Sequence, residues 1–142
     1  TVQNWLSRPV RYHVSNKANT SFFSRYMIWT GLIVFTFIMI HFTNFYFVKL
    51  GLVNPIQVGI ASEDFYSMAP IVFTNKTYFS IYIILLVGLG FHLYHAFQSA
   101  FQTLGLNHNK YTPTIKICAT LYAIIMTIGF CTIPVYYMFF NN

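Results

Sequence analysis

Three long apolar runs divide the chain, and charged, glycine-bearing or proline-bearing stretches separate them. They cover about residues 26–48, 78–101 and 117–140, and none contains Asp, Glu, Lys or Arg. Each is too long for a core strand, and a helix of 23 residues is about 34 Å long at 1.5 Å per residue. That length suffices for a hydrocarbon core of about 30 Å. The pattern predicts an all-α integral membrane bundle of three transmembrane helices forming one domain over residues 1–142.

The polar stretches complete the topology. Residues 1–24 read as a turn-rich lead-in, with Arg8-Pro9, a polar run from Ser15 to Ser21, and Ser21 or Ser24 as an N-cap. Residues 50–76 form a connection with Pro55, Pro70 and the only acids, Glu63 and Asp64. Connections of that length tend to carry function or local structure of their own. Its apolar patches, Phe65, Tyr66, Ile71, Val72 and Phe73, are expected along the membrane interface. Gly105 to Pro113 stops the second helix and starts the third, in which Gly129 and Pro134 predict a kink. Trp29 and Tyr46 suit opposite interfaces.

Composition agrees with this pattern. Of 142 residues 56% are hydrophobic and 7% charged, against about 25% charged in soluble domains. The net charge of +6 does not point to nucleic acid, because the basic residues are scattered outside the apolar runs. Arg8, Arg11, Lys17 and Arg25 precede the first span, and Lys110 and Lys116 lie between the second and third. Only Lys49 and Lys76 flank the intervening loop. This bias puts the lead-in and loop 102–116 on the inner (cytoplasmic or matrix) side, and loop 50–76 outside. Cys118 and Cys131 are about 20 Å apart along one helix, too far to pair. The chain starts at Thr1 without a signal-peptide pattern, as a processed or an incomplete chain would.

The second span carries the most distinctive chemistry. Gly88, His92, His95 and Ser99 recur at i, i+4, i+7 and i+11, so two imidazoles and a hydroxyl share one helix face. His41 lies in the first span, while His13 and His108 fall in polar segments and read as exposed. Imidazole in hydrocarbon is costly and marks a candidate functional site. One reading has the histidines simply bonding neighbouring helices. A proton relay is disfavoured because the spans lack carboxylates. The lack of carboxylate and of any thiolate cluster also disfavours zinc, iron–sulfur and di-iron sites. The remaining reading is axial ligation of haem by neutral imidazole.

Depth constrains that reading. His41 is about 22 Å from the inner end of its span and His92 about 14 Å from the inner end of its own. An offset of about 8 Å is too large for two nitrogens on one iron without strong tilt. Two sites at different depths are therefore expected, each lacking its second ligand within this chain. His95, beside His92 on the same helix, suits a hydrogen bond to a haem propionate or to a neighbouring helix.

Two segments carry a family resemblance: Ser24-Arg25-Tyr-Met-Ile-Trp-Thr-Gly-Leu with Ile40-His41-Phe, and Gly90-Phe-His-Leu-Tyr-His-Ala-Phe-Gln-Ser-Ala-Phe-Gln-Thr-Leu-Gly-Leu-Asn-His108. Over residues 5–140 the chain resembles the C-terminal three helices of the cytochrome b558 membrane subunit of succinate dehydrogenase and fumarate reductase, of the five-helix, two-haem type. The second segment is the more specific. The resemblance implies that His41 ligates a distal haem b and His92 a proximal one, with quinone as the electron-transfer substrate. It also implies a flavoprotein and an iron–sulfur subunit docked on the inner side. In that family the opposing histidines come from two preceding helices, so a further segment or chain would supply them here. A truncated chain, a split subunit, or a three-helix protein that has lost a haem all remain open.

Other residues keep two readings each. Arg25 suits a haem propionate or a positive-inside anchor. Gly88 suits close approach of a porphyrin or plain helix packing. Glu63 and Asp64 suit proton handling or simple solvation, and the quinone site has no assignable residues. The expected membrane is a bacterial or mitochondrial inner membrane. The rivals are a structural or assembly subunit without cofactor and a haem b anchor of another quinone-linked dehydrogenase.

Overall fold

The computed structural model describes residues 26–54, 65–106 and 108–140. Arg25, Glu63 and Asp64, with the predicted caps Ser21 and Ser24, lie outside the described residues. The first span is α1 (Met27–His41), a π-helical turn (Phe42–Tyr46) and a last short turn, α2 (Phe47–Lys49). Then follow α3 (Phe65–Thr74), α4 (Lys76–Thr103) and α5 (Thr112–Phe139). Three helices, Met27–Lys49, Lys76–Thr103 and Thr112–Phe139, are long and apolar enough to cross a membrane.

Local chemistry sets the boundaries. Asn75 separates α3 from α4 with an extended backbone, and its side chain accepts the amide N–H groups of Thr77 and Tyr78 at 3.0 and 3.4 Å. Both Gly51 and Gly105 adopt positive φ, 69° and 78°, and close Schellman motifs. In the first, Leu52 N–H reaches Phe47 O, and in the second, Leu106 N–H reaches Phe101 O.

The third span starts at Thr112 rather than 117. Pro113 fits the first helical turn, where no amide hydrogen is required. The His108 carbonyl gathers the N–H groups of Tyr111 and Thr112 and the Thr112 hydroxyl, all at 2.9 Å. Lys116 consequently sits inside the helix, where its long stem lets the ammonium reach the interface. The helix continues unbroken through Gly129 and Pro134.

The 50–76 connection departs from expectation. Residues 65–74 form a helix whose Met68, Val72 and Phe73 are buried rather than spread along the interface. Phe73 meets Tyr82 of α4 edge-to-face with centroids 5.0 Å apart, and stacks at 6.3 Å on Tyr137 of α5. Val72, Phe73 and Tyr82 form the buried cluster at this end. A run too short to span finds its apolar partner between the larger helices. Tyr66, by contrast, remains 76% exposed.

Among the long helices α4 lies between α1 and α5. Facing residues define two antiparallel seams. On one, Thr30 meets His92, Ile33 meets Gly88, and Phe37 meets Tyr82. On the other, Phe79 meets Phe139, Gly90 meets Thr127, and Phe97 meets Tyr122. Lipid tails are as apolar as leucine, so burial alone does not drive helices together in a bilayer, and close packing and polar contacts must. A Cβ on Gly88 would come 2.5 Å from Ile33 Cγ2, and one on Gly90 would collide with the Thr127 hydroxyl. Both glycines therefore mark tight helix contacts. The α1 helix has no buried residue, and Trp29 is 62% exposed, as suits a surface facing lipid or further helices.

Candidate functional site

The histidine face of α4 turns toward α1. Gly88 packs on Ile33, which is the helix-packing reading of that glycine, and four residues on His92 reaches Thr30. Thr30 Oγ1 lies 3.2 Å from His92 Nδ1 and 3.0 Å from the carbonyl of Met27. The hydroxyl has one proton, so both contacts are satisfied together only if it donates to Met27 O and accepts from Nδ1–H. That arrangement places a proton on Nδ1 and engages it, which turns Nε2 to the other side of the ring. Metal-binding histidines are oriented by this kind of second bond. The His92 ring also lies along the α1 backbone at Gly31, where a Cβ would stand 3.8 Å from Cε1.

His95 is half-buried with its Nε2 enclosed, and its ring stacks nearly parallel to Tyr94 at 6.3 Å. Ser99 is half-buried one turn further on, and its carbonyl accepts the Thr103 hydroxyl at 2.9 Å. The structure keeps these residues on one face of α4.

His41 occupies a different environment. Its ring is flanked by Phe37 at 5.7 Å and Phe45 at 4.9 Å, with Tyr82 edge-on at 6.3 Å. The imidazole is exposed at the bundle surface and borders an apolar cavity of about 200 Å³ that Tyr82, Phe73, Leu86 and Pro134 also line. This is below the usual 300–1,000 Å³ of a small-molecule site. The π turn begins directly after His41. It carries Asn44, which is buried and donates from Nδ2 to the Tyr82 hydroxyl at 3.2 Å. Single π turns recur at functional positions.

The helix register gives the separation of the two sites. His92 stands level with Thr30 and His41 with Tyr82, so about ten residues, or about 15 Å of helix, lie between them. This exceeds the 8 Å expected from span ends, because α4 extends past the start of α1 on the side of its C-terminus. One metal held directly by both histidines is geometrically excluded. Among the described residues no three His, Cys, Asp or Glu side chains gather as a metal cage.

Three features escape a sequence reading: the Thr30 partner of His92, the Asn44–Tyr82 pair, and the π turn. Asn44 had a visible signal, being the one amide in the first span. Thr30 and Tyr82 are recognisable only once the register is known.

The fold and the polar positions inside it define a three-span helical membrane protein. No family model matches the chain, and no curated protein or solved structure matches it.

Proposed function

We propose that this chain is a haem b-binding membrane subunit of a succinate dehydrogenase or fumarate reductase complex, in a bacterial or mitochondrial inner membrane. It would pass electrons between an iron–sulfur subunit and membrane quinone. The observation that carries the reading is the Thr30–His92 contact. It orients the His92 imidazole inside an apolar bundle with Nδ1 engaged, so that Nε2 would be the nitrogen to hold a haem iron. A haem bound there supplies one-electron chemistry, while the protein supplies ligation, burial and orientation.

The residues present fit half-sites. His92 offers one nitrogen near the Thr30 end of the bundle, and His41 offers another about 15 Å deeper. Each needs an opposing ligand at its own depth, from a further segment or chain. The exposed imidazole of His41, on a helix without buried residues, supports a partner there, because a bare imidazole against lipid is costly. Phe37 and Phe45 restrict rotation of that ring. His95 and Ser99, on the His92 face, are suited to hydrogen-bond propionate groups, as is Arg25. A flavoprotein and an iron–sulfur subunit would dock on the inner side.

A second reading rests on the same contact. A Thr–His bond between helices also serves a purely structural or assembly subunit. Reduced-minus-oxidised spectra of the complex purified from its native membrane separate the two. A b-type absorption band is expected, and its absence sinks the haem reading. Identification of the co-purifying soluble subunits tests the assignment to this dehydrogenase rather than to another quinone-linked one.

A further inference from the structure

The seam between α4 and α5 carries a feature apart from the histidine face. An apolar groove of about 380 Å³ runs along it, lined by Gly90, Phe91, Tyr94, Thr120, Ala123 and Thr127. Its volume falls within the range of small-molecule sites. Toward the inner end of the two helices the same stripe of positions continues into a shallow notch formed by Gln98, Gln102, Thr112 and Lys116. On α4 the positions 87, 90, 94, 98 and 101 recur at helical spacing, as do 112, 116, 120, 123 and 127 on α5. Groove and notch therefore share one face. This face is distinct from the one that carries His92 and Gly88 toward α1.

Charge tells which occupant this seam suits. Lys116 is exposed at the notch, one turn from Thr120, and Lys110 lies in the loop just before. The chain holds only two acidic residues, Glu63 and Asp64, which precede α3, and none follows Asp64. The cations at this end thus have no acidic side chain from the adjoining helices or their connecting loop to neutralise them. The amide side chains of Gln98 and Gln102 beside them add hydrogen-bond donors. Basic notches between transmembrane helices with an adjoining apolar cleft are suited to anionic lipid headgroups.

We propose that the α4–α5 seam binds an anionic phospholipid. Its phosphate would rest at Lys116 with Gln98 and Gln102, and one acyl chain would lie in the groove over Gly90 and Ala123. Gly90 matters twice. It lets Thr127 approach α4, and its missing side chain keeps the groove floor low.

The test uses the full-length protein in nanodiscs, with the partner subunits with which it purifies. Spin-labelled phosphatidylglycerol and spin-labelled phosphatidylcholine are compared by electron paramagnetic resonance for the motionally restricted fraction. The wild type should favour phosphatidylglycerol. Lys116→Gln should cut that preference about fivefold, the effect of about one cation at the membrane surface, and Lys76→Gln at the opposite end should leave it unchanged. Thr120→Trp, which fills the groove from an exposed position, should lower the restricted fraction of both lipids. Circular dichroism and a monodisperse elution profile establish that each variant is folded. Equal binding of the two lipids by the wild type overturns the proposal. So does an undiminished preference in folded Lys116→Gln, which would place the anion elsewhere or assign the lysine to an acidic protein surface.

Discussion

The hydroxyl of Thr30 stands 3.2 Å from Nδ1 of His92 and binds the helix α1 to α4 at the level of the second histidine site. With its own proton directed to Met27 O at 3.0 Å, it can only accept from the imidazole, which orients the ring through Nδ1–H. Thr30→Val removes the acceptor while keeping the shape. If His92 ligates a haem as proposed, this change should weaken its retention by about 10–100-fold, the usual effect of losing a ligand's second hydrogen bond. Thr30→Ser should restore it. A haem titration with both variants is the check, and equal retention in Thr30→Val would remove Thr30 from any ligand-orienting role.

Gly88 and Ile33 make the closest helix approach on the same seam. A Cβ at residue 88 would press to 2.5 Å from Ile33 Cγ2, a branch on a stiff β-branched side chain. Gly88→Ala should destabilise the bundle by about 1–3 kcal/mol through overpacking. Ile33→Ala removes the opposing methyl, so the double variant should recover much of the loss. A double-mutant cycle of unfolding in detergent mixtures reads the coupling directly, and strictly additive effects would contradict the contact.

The Asn44–Tyr82 bond is the buried polar link at the other end of this seam. Tyr82→Phe strands the Asn44 amide and should cost about 1–3 kcal/mol. Asn44→Leu combined with Tyr82→Phe removes both partners, so its cost should be smaller than the sum of the single changes. Unfolding midpoints of the three variants provide the measurement.

Much of this architecture is legible in the sequence because a bilayer imposes a simple length rule. The expected spans 26–48, 78–101 and 117–140 compare with helices ending at Lys49, Thr103 and Phe139. The third helix begins five residues before its apolar run, because Lys116 breaks that run without breaking the helix. Helix α3 was hidden for a different reason. Its ten residues are too few to span, and whether an apolar run folds inward depends on the gap that larger helices leave. The histidines were visible as polar residues in hydrocarbon. Their surroundings were not, since Thr30 and Tyr82 become their neighbours only through the antiparallel register. Gly88 shows the limit well. Its spacing marks the face it shares with His92, but only the packing reveals that Ile33 fills the space beside it.

The central claim is that His41 and His92 belong to two separate haem sites, about 15 Å apart along the bundle. Low-temperature reduced-minus-oxidised spectra of the purified complex, with His41→Ala and His92→Ala alongside the wild type, test this most directly. The wild type should show two b-type components, and each variant should lose a different one while the helical signal stays intact. Loss of both components together from a folded variant, or a wild type without any b-type band, would contradict the account.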